Sequence, residues 1–392
     1  MTQTRFNPLV EQLSPPPIPS VQAWARAYDG AYGPLIDLSQ AVPGYPPHPQ
    51  LLQWLAEAAG SSALSGYGAI EGDMTLRAAY AEHVSKAYGA PVAAGNVHLT
   101  AGCNQAFVAA VLAVAGPGDT VLMTNPRYFN HETTLQMMGV RARYVDCHAE
   151  AHFVPKLADI EAALAPDVRA LALVSPNNPT GAVYPAELLA DVFALCRERG
   201  VWLILDETYR DFIAAGETPP HGLLGLDGWQ HTLIQLYSFS KSFCIPGHRL
   251  GAIAAGEAAV AQIAKVMDNL QICAPRPPQS AVAKGLPTLG DWREANRLEI
   301  ERRALAMVAA FAALPDWELQ AIGAYFAFVR HPYEGQGAAA IAERLARDMG
   351  IVTIPGSYFG HGLERHLRVA FANVDVDQIE QVAKRLSHLP QM

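Results

Sequence analysis

The chain has 392 residues, of which 51% are hydrophobic and 17% are charged, and its formal net charge is −9. A chain of this length and composition can bury a large core in two or three domains. Its mildly acidic balance, without any basic run, argues against a nucleic-acid partner or an anionic-membrane partner.

The amino-terminal segment Met1–Pro19 is polar and rich in proline, and it lacks the apolar core of a secretory signal. The longest uninterrupted apolar stretch, Phe107–Ala115, is too short to span a bilayer. Five scattered cysteines include no Cys-x-x-Cys pair, which fits a reducing compartment and neither a disulfide framework nor a zinc site. We therefore expect a soluble cytoplasmic protein with no membrane partner and no bound metal.

The middle of the chain alternates short apolar runs with Ala-, Leu- and Glu-rich stretches of helical period, such as Pro185–Glu198. This alternation predicts an α/β fold with a mostly parallel sheet whose strands are buried on both faces. The predicted strands are Val121–Thr124, Arg141–Val145, Leu171–Ser175, Val201–Leu205, Leu233–Tyr237 and Gly251–Ala254.

The last third has a different pattern, typical of an α+β unit. A long helix over Trp292–Leu314 precedes three predicted strands and a closing helix over Val376–Leu386; the strands are Tyr325–Arg330, Ile351–Ile354 and Leu367–Phe371. We predict a large domain that binds the ligand and a smaller α+β domain, formed respectively by residues 49–288 and by residues 1–48 with 289–392.

Two basic residues follow the predicted strand Leu233–Tyr237, at the strand end where ligands bind in open α/β sheets. An amine held in a confined site, as Lys241 would be, can form an imine. Arg249, eight residues further on, is a natural bidentate partner for phosphate. Either residue alone is more simply a surface cation, but Ser-x-Ser-Lys followed by Gly-x-Arg-x-Gly is a specific pattern.

Asp206 and Tyr209 directly follow the apolar strand Val201–Leu205. A carboxylate at this place can pair with the protonated nitrogen of a pyridine-based cofactor and keep the cofactor ring able to accept electrons. Tyr209 can donate a hydrogen bond to a phenolate oxygen on the same cofactor ring. The plain alternative is a polar strand end.

Three further loops supply candidates for the same ligand. Asn178, in a turn after the strand that ends at Ser175, can donate to the phenolate oxygen. The backbone N–H groups of Gly102, Cys103 and Asn104 open an Ala- and Val-rich helix and can hold a phosphate. Tyr128 follows another strand and can stack on the ring. The plain alternatives are an ordinary turn at Asn178, a helix cap at Gly102 and a core position for Tyr128. Taken together with Lys241, Arg249 and Asp206, the three loops indicate that the ligand is pyridoxal 5'-phosphate.

These motifs occur in one order along the chain, and the chain resembles the class I/II aminotransferases of fold type I from about Asp37 to the last helix. The motifs are Thr100-x-Gly102, Asn178-Pro-Thr-Gly, Asp206-Glu-x-Tyr209, Ser238-x-Ser240-Lys241 and Gly-x-Arg249-x-Gly.

The resemblance implies roles for four more residues. Arg368 would bind the substrate α-carboxylate, and Ser238 and Ser240 would contact the phosphate. Tyr67 would reach the phosphate across a subunit interface, so the resemblance also implies a homodimer with shared active sites.

The chain departs from the family pattern at three places. Ala41-Val42-Pro43 stands where many members have Gly-x-Pro near the substrate. Asn104 replaces a lysine that one aspartate-specific branch uses, and Arg276 is out of register with the distal-carboxylate arginine of another branch. These departures argue against a strict aspartate enzyme and favour a neutral or aromatic amino acid, although glutamate as amino donor stays open.

The resemblance implies a ping-pong transamination between an L-amino acid and a 2-oxo acid through a Lys241 Schiff base, with Asp206 and Tyr209 as catalytic partners. Two alternatives stay open on the same scaffold: a carbon–sulfur β-lyase and a non-catalytic sensor domain that binds the cofactor. Only about forty residues precede the core, without a basic region, which disfavours the sensor domain. A dehydrogenase is disfavoured because no Gly-x-Gly-x-x-Gly follows an early strand.

Overall fold

The computed structural model describes residues 4–214 and 219–389. Their strands form a seven-stranded sheet, a four-stranded sheet and a two-stranded pair. The strands are β1 Ile36–Asp37, β2 Val97–Thr100, β3 Thr120–Asn125, β4 Arg141–Asp146, β5 Val168–Val174, β6 Trp202–Asp206, β7 Leu233–Ser238, β8 Gly251–Ala255, β9 Glu318–Gly323, β10 Phe326–Arg330, β11 Ile351–Val352, β12 Ile354–Pro355 and β13 His366–Ala370.

Helices connect these strands and cover the large sheet. The α-helices of the described residues are α1 Pro8–Glu11, α2 Pro17–Trp24, α3 Pro49–Ala59, α4 Met74–Tyr88, α5 Cys103–Val114, α6 Phe129–Met138, α7 Leu157–Ala163, α8 Ala186–Arg199, α9 Phe239–Ser242, α10 Glu257–Leu270, α11 Arg276–Thr288, α12 Gly290–Ala312, α13 Ala338–Asp348 and α14 Val376–Ser387. None of these helices is both long enough and apolar enough to cross a bilayer.

The large sheet has the strand order β2-β8-β7-β6-β5-β3-β4, and only β8 runs antiparallel to its neighbours. Strands β3 and β7 are buried at every position, as their continuous apolar character predicts for strands covered on both faces. Because β8 is antiparallel, its first residue Gly251 pairs with Ser238 at the end of β7. The start of β8 therefore lies at the same sheet edge as the carboxyl ends of the parallel strands.

The second core lies under the antiparallel sheet β12-β13-β10-β9, which packs with α12, α13 and α14. The amino-terminal strand β1 joins this part of the molecule, because Ile36 pairs with Ile351 in parallel register. Arg385 strengthens the junction: its guanidinium donates to the carbonyl oxygens of Pro34 at 2.7 Å and Gly350 at 3.2 Å. Residues from both ends of the chain thus share one core.

The structure confirms the predicted α/β class with a mostly parallel central sheet and an additional α+β part. It also contains three strands that were not predicted, β1, β2 and β9. Strand β1 has only two residues, too few to show a pattern. Strand β2 has the sequence Val-His-Leu-Thr, in which two polar residues are buried, and β9 is a half-exposed strand at a sheet edge. The single strand predicted over Ile351–Ile354 is two short strands, β11 and β12, that belong to different sheets.

Candidate active site

A cavity of about 170 Å³ lies at the carboxyl edge of the large sheet, and we call it the central cavity. Ten of the predicted site residues line it. They are Cys103, Asn104, Tyr128, Asn178, Asp206, Tyr209, Ser238, Ser240, Lys241 and Arg249, together with Val174, Thr208 and Pro246.

Lys241 enters the central cavity from α9, the single helical turn that follows β7. Its Nζ donates a hydrogen bond to the carbonyl oxygen of Ala41 and lies 5.9 Å from the ring centre of Tyr209. Burial lowers the pKa of Lys241 to about 8, and the positive charges of Arg368 and Arg249 act in the same direction. A larger neutral fraction near neutral pH makes this amine a better nucleophile than an ordinary lysine.

Asp206 ends β6 and is buried in the cavity wall, only 5% exposed. Its Oδ1 accepts hydrogen bonds from Thr208, at 2.9 Å from the backbone N–H and 2.7 Å from the hydroxyl, and its Oδ2 lies 3.4 Å from Nε2 of His131. Burial alone would raise the pKa of Asp206, but His131 and Thr208 outweigh it and hold the pKa below the ordinary value. The carboxylate therefore stays ionised and can pair with a cationic ring nitrogen.

Two aromatic residues line the same space. Tyr209 packs its ring on Tyr325 and Phe326, and burial raises the pKa of its hydroxyl well above the ordinary value. Its hydroxyl therefore stays protonated and can donate. Tyr128 is held at its hydroxyl by Asn130, whose Nδ2 donates at 2.8 Å.

Arg368 comes from β13 of the other sheet and is 2% exposed. Its guanidinium carbon lies 5.1 Å from the ring centres of both Phe326 and Phe359. It donates to Oδ1 of Asn178 at 3.0 Å and to the carbonyl oxygen of Ser39. Burial lowers its pKa to about 10, so it is still a cation at neutral pH.

One end of the central cavity is built for an anion. Gly102, with φ +85°, caps the start of the twelve-residue helix α5, and a Cβ there would run into the Arg249 guanidinium. Arg249 donates to the carbonyl oxygens of Pro246 at 3.0 Å and Ala101 at 3.3 Å. The buried Oγ of Ser240 has no hydrogen-bond partner among the described residues. A helix amino terminus, a cation and a free hydroxyl together suit a phosphate.

The residues around the cavity fit the groups of pyridoxal phosphate. Arg249, Ser240 and the start of α5 suit its phosphate, and the ionised Asp206 suits its ring nitrogen. The amine of Lys241, whose pKa is lowered, lines the same cavity. The Oγ of Ser238 accepts from the backbone N–H of Ser240 at 3.3 Å, which leaves its own O–H able to donate to a phosphate.

Four predicted residues, Gly102, Ala41, Arg368 and Tyr67, lie outside the cavity lining, and the first three are still connected to it. Gly102 lies against the guanidinium of Arg249. Ala41 receives the Lys241 hydrogen bond and Arg368 is bonded to Asn178. Tyr67 is 79% exposed and does not line the cavity.

Arg276, which was out of register in the sequence, is bonded elsewhere. Its Nε donates to Oδ1 of Asp73 at 3.2 Å, and its Nη1 donates to the carbonyl oxygen of Ala63 at 2.9 Å. It does not line the central cavity.

His131 is a site residue that the sequence analysis missed. Its ring stacks on Phe107 with centroids 3.8 Å apart, and its Nε2 faces Asp206. The available signal was its position three residues after Tyr128, which places both on one side of a helix start. The sequence alone did not bring this helix beside Asp206.

A family model described as "Aminotransferase class I and II" matches residues 34–386. The aromatic aminotransferase ISS1 of Arabidopsis thaliana is 28% identical over 364 residues, which cover 90% of this chain and 88% of that protein. The arginine–pyruvate transaminase AruH of Pseudomonas aeruginosa is 29% identical over 342 residues, 85% of each chain. A double mutant of Thermus thermophilus aspartate aminotransferase has the same fold, with a TM-score of 0.91 over 99% of this chain and 100% of that one at 23% identity.

Proposed function

This chain belongs to the class I and II aminotransferases, and we infer that the amine of Lys241 is the centre of its reaction. It is a pyridoxal-phosphate-dependent aminotransferase, which transfers the amino group of an amino acid to a 2-oxo acid. The observation that carries the residue assignment is the geometry around Lys241: a buried amine of lowered pKa lines the same cavity as the buried, ionised Asp206.

We propose that Lys241 holds the cofactor covalently, while Asp206 pairs with its ring nitrogen. Tyr209 and Asn178 would donate to the phenolate oxygen, and Tyr128 would stack on the ring. Gly102, Cys103, Asn104, Ser238, Ser240 and Arg249 would hold the phosphate. When bound, the cofactor supplies an electron-accepting ring that stabilises negative charge at the substrate Cα.

Arg368 would bind the α-carboxylate of the amino acid. Its planar fork matches a carboxylate, and the two flanking phenylalanine rings hold the fork in one orientation. The carboxylate would replace the carbonyl oxygen of Ser39 as a partner. Ala41, next to the same segment, would contact the substrate and release the Lys241 hydrogen bond.

Lys241 would then act as the general base that removes the proton from the substrate Cα. Its lowered pKa suits this task, since a base with a pKa near the working pH is available in neutral form. The amino acid leaves as a 2-oxo acid before a second 2-oxo acid enters the same site. This order of events gives ping-pong kinetics.

The substrate we propose is a neutral or aromatic L-amino acid. Lys241 and Arg249 are the cations of the described cavity lining, and Arg276 is occupied by Asp73. Among the described residues that line the cavity, a distal carboxylate would thus find no cation besides the two already assigned to the cofactor. One relative is named an aromatic aminotransferase, which agrees with this class.

We further propose a cytoplasmic homodimer in which Tyr67 of each subunit contacts the phosphate in the other. Its high exposure supports this role. The division into a large domain of residues 49–288 and a small domain of residues 1–48 and 289–392 is supported by the pairing of β1 with β11. It is also supported by a hydrophobic cluster formed mainly by residues near both chain ends, apart from the largest cluster under the large sheet.

Replacing Lys241 tests the central assignment. We expect Lys241→Ala to abolish turnover, because both the covalent anchor and the base are lost, while the phosphate contacts still retain some cofactor. The measurement is the activity and the absorbance of the purified variant beside the wild-type protein. Full activity in Lys241→Ala would refute the assignment.

The wild-type protein with bound cofactor, which absorbs visible light, can be used to identify the amino donor. Individual amino acids are added, and those that bleach its absorbance band are donors; we expect neutral or aromatic ones to act first. Stoichiometric formation of the matching 2-oxo acid and of an amino acid from an added 2-oxo acid identifies transfer. Pyruvate and ammonia from cystathionine would instead indicate a β-lyase reaction.

A further inference from the structure

The segment that follows β6 presents side chains on two sides. Asp206 and Tyr209 line the central cavity. Glu207 and Arg210 are buried away from it, 1% and 5% exposed, and the side chain of Asp211 is 16% exposed. The two proposed cofactor contacts therefore alternate with charged residues that are fixed in the protein interior.

Glu207 is bound tightly on this inner side. Its carboxylate accepts from the hydroxyl of Tyr88 at 2.7 Å and from the side-chain amide of Gln235, and it lies 3.2 Å from Nε2 of His221. Burial would raise the pKa of Glu207, but His221 and Arg210 outweigh it and lower the pKa. The ionised carboxylate anchors the end of β6 to its surroundings.

A second set of contacts joins this segment to the helix that carries Lys241. The hydroxyl of Tyr237 lies 2.7 Å from Oδ2 of Asp211 and 2.7 Å from Oγ of Ser242. Because an ionised carboxylate only accepts, Tyr237 donates to Asp211, and the Ser242 hydroxyl donates to Tyr237. Ser242 is the next residue after Lys241, so one phenol connects the two halves of the site.

The Tyr237 ring itself is held firmly. It is fully buried, stacks on Tyr80 at 5.4 Å and meets Phe239 edge-on at 5.1 Å. The guanidinium carbon of Arg210 lies 4.0 Å from its ring centre. The ring position is therefore set by packing, and the hydroxyl adds the connection between Asp211 and Ser242.

We propose that Tyr237 is a positioning residue that fixes Lys241 relative to Asp206 and Tyr209. Helix α9 has only four residues, so its own backbone hydrogen bonds do little to hold it in place. The hydrogen bonds from Ser242 to Tyr237 and on to Asp211 supply the missing anchor. This inference rests on the proposed role of Lys241 and adds to it a residue that does not touch the cavity.

Tyr237→Phe tests the proposal, because it removes the hydroxyl and keeps the ring. We expect kcat to fall about tenfold with KM changed less than about twofold, since a small displacement of a reacting group affects chemistry more than binding. In full-length protein stripped of cofactor, the covalent capture of added pyridoxal phosphate, followed by absorbance, should also slow about tenfold. A merely structural role would lower the melting temperature without changing the capture rate.

Tyr80→Phe is the matched control. Tyr80 is equally buried in the same aromatic layer, and its hydroxyl makes no well-formed hydrogen bond to any described residue. We expect its kcat and capture rate to stay within about twofold of wild type. Equal slowing in both phenylalanine variants would overturn the proposal.

Ser242→Ala removes the other end of the bridge and serves if Tyr237→Phe folds poorly. It should slow capture in the same way, and the double variant should be no slower than Tyr237→Phe alone, because both changes break one connection. Independent, multiplicative effects or normal capture in Ser242→Ala would overturn the proposal. Covalent capture by Lys241→Ala at the wild-type rate would instead show that the assignment of Lys241 itself is wrong.

Discussion

Lys241 and Arg368 are two basic side chains of the site, and burial lowers the pKa of both. Each donates to a backbone carbonyl of the same amino-terminal segment, at Ala41 and Ser39. Carbonyl oxygens carry only partial charge, so they compensate these cations incompletely. An anionic ligand is therefore a better partner for Arg368 than the segment that occupies it, and the neutral amine is favoured at Lys241.

The mutual effect of the two cations leads to a pH prediction for the cofactor-free protein. Acylation of Lys241 by a small acid anhydride, which loses a carboxylate as the amide forms, needs the unprotonated amine. Its rate should therefore rise with pH and be half-maximal near the pKa of about 8. Removing the positive neighbour with Arg368→Gln should move this midpoint to higher pH. The measurement is mass spectrometry of the Lys241 peptide after timed labelling.

Arg276→Gln is the control for this titration, because Arg276 is paired with Asp73 and is not a cause of the Lys241 shift. It should leave the midpoint unchanged. A midpoint near that of an ordinary lysine in the wild-type protein, or no change in Arg368→Gln, would contradict the electrostatic account.

At the scale of elements, the site is assembled from the ends of strands and the start of one helix. Strands β6 and β7 deliver Asp206 and Ser238, and α5 delivers its amino terminus. The antiparallel β8 begins at this same edge and brings the preceding Arg249 beside Gly102. The start of α5 and the guanidinium of Arg249 thus come together at Gly102, where an added Cβ would collide with the guanidinium.

We predict that Gly102→Ala weakens the binding of pyridoxal phosphate about tenfold, equivalent to about 1.4 kcal/mol. The added methyl group would displace the Arg249 guanidinium and strain a backbone with φ +85°. The measurement is the dissociation constant of the cofactor, from titration of the stripped protein.

Gly118→Ala is the control that separates the effect of backbone strain from the effect of displacing Arg249. Gly118 has a similar φ of +90°, but a Cβ there would meet nothing within 4 Å. Both variants should lose unfolding free energy through backbone strain, on the order of 1–3 kcal/mol, whereas only Gly102→Ala should lose cofactor affinity. Equal affinity in all three proteins would show that α5 does not hold the phosphate.

At the scale of the whole molecule, the second sheet and the amino-terminal segment are connected to the cavity by hydrogen bonds to residues that line it. Arg368 belongs to the antiparallel sheet, while its partner Asn178 follows β5 of the large sheet. Tyr67 is the predicted contact that this single chain leaves exposed. In the proposed homodimer, Tyr67 would contact the cofactor phosphate in the second copy of the chain.

Mixing two inactive variants tests this arrangement. If Tyr67 serves the partner's site, a heterodimer of Tyr67→Ala and Lys241→Ala has one site with both defects and one intact site. Random exchange of equal amounts of subunits should then restore about a quarter of wild-type activity. The measurement is activity after co-refolding, with each variant refolded alone as control.

No recovery, in a mixture shown by mass to contain heterodimers, would mean that Tyr67 acts within its own subunit or not at all. A chain that stays monomeric at assay concentration while active would contradict the shared site more directly.

The sequence by itself determined six of the seven strands of the large sheet, all but β2, and the residues at their carboxyl ends. Apolar periodicity is a local property, and Asp206, Lys241 and Asn178 each stand directly after a strand end or in the loop behind it. The carboxyl ends of parallel strands lie at one edge of a sheet, so the predicted strands also predicted that these three side chains lie close together.

Only the tertiary structure decided which distant side chains complete the site. His131 facing Asp206, Arg368 bonded to Asn178, and Tyr237 between Asp211 and Ser242 all join segments far apart in the chain or carried by different strands and helices. Such contacts depend on how helices and sheets pack, and packing depends on the shape of the whole core rather than on any local period.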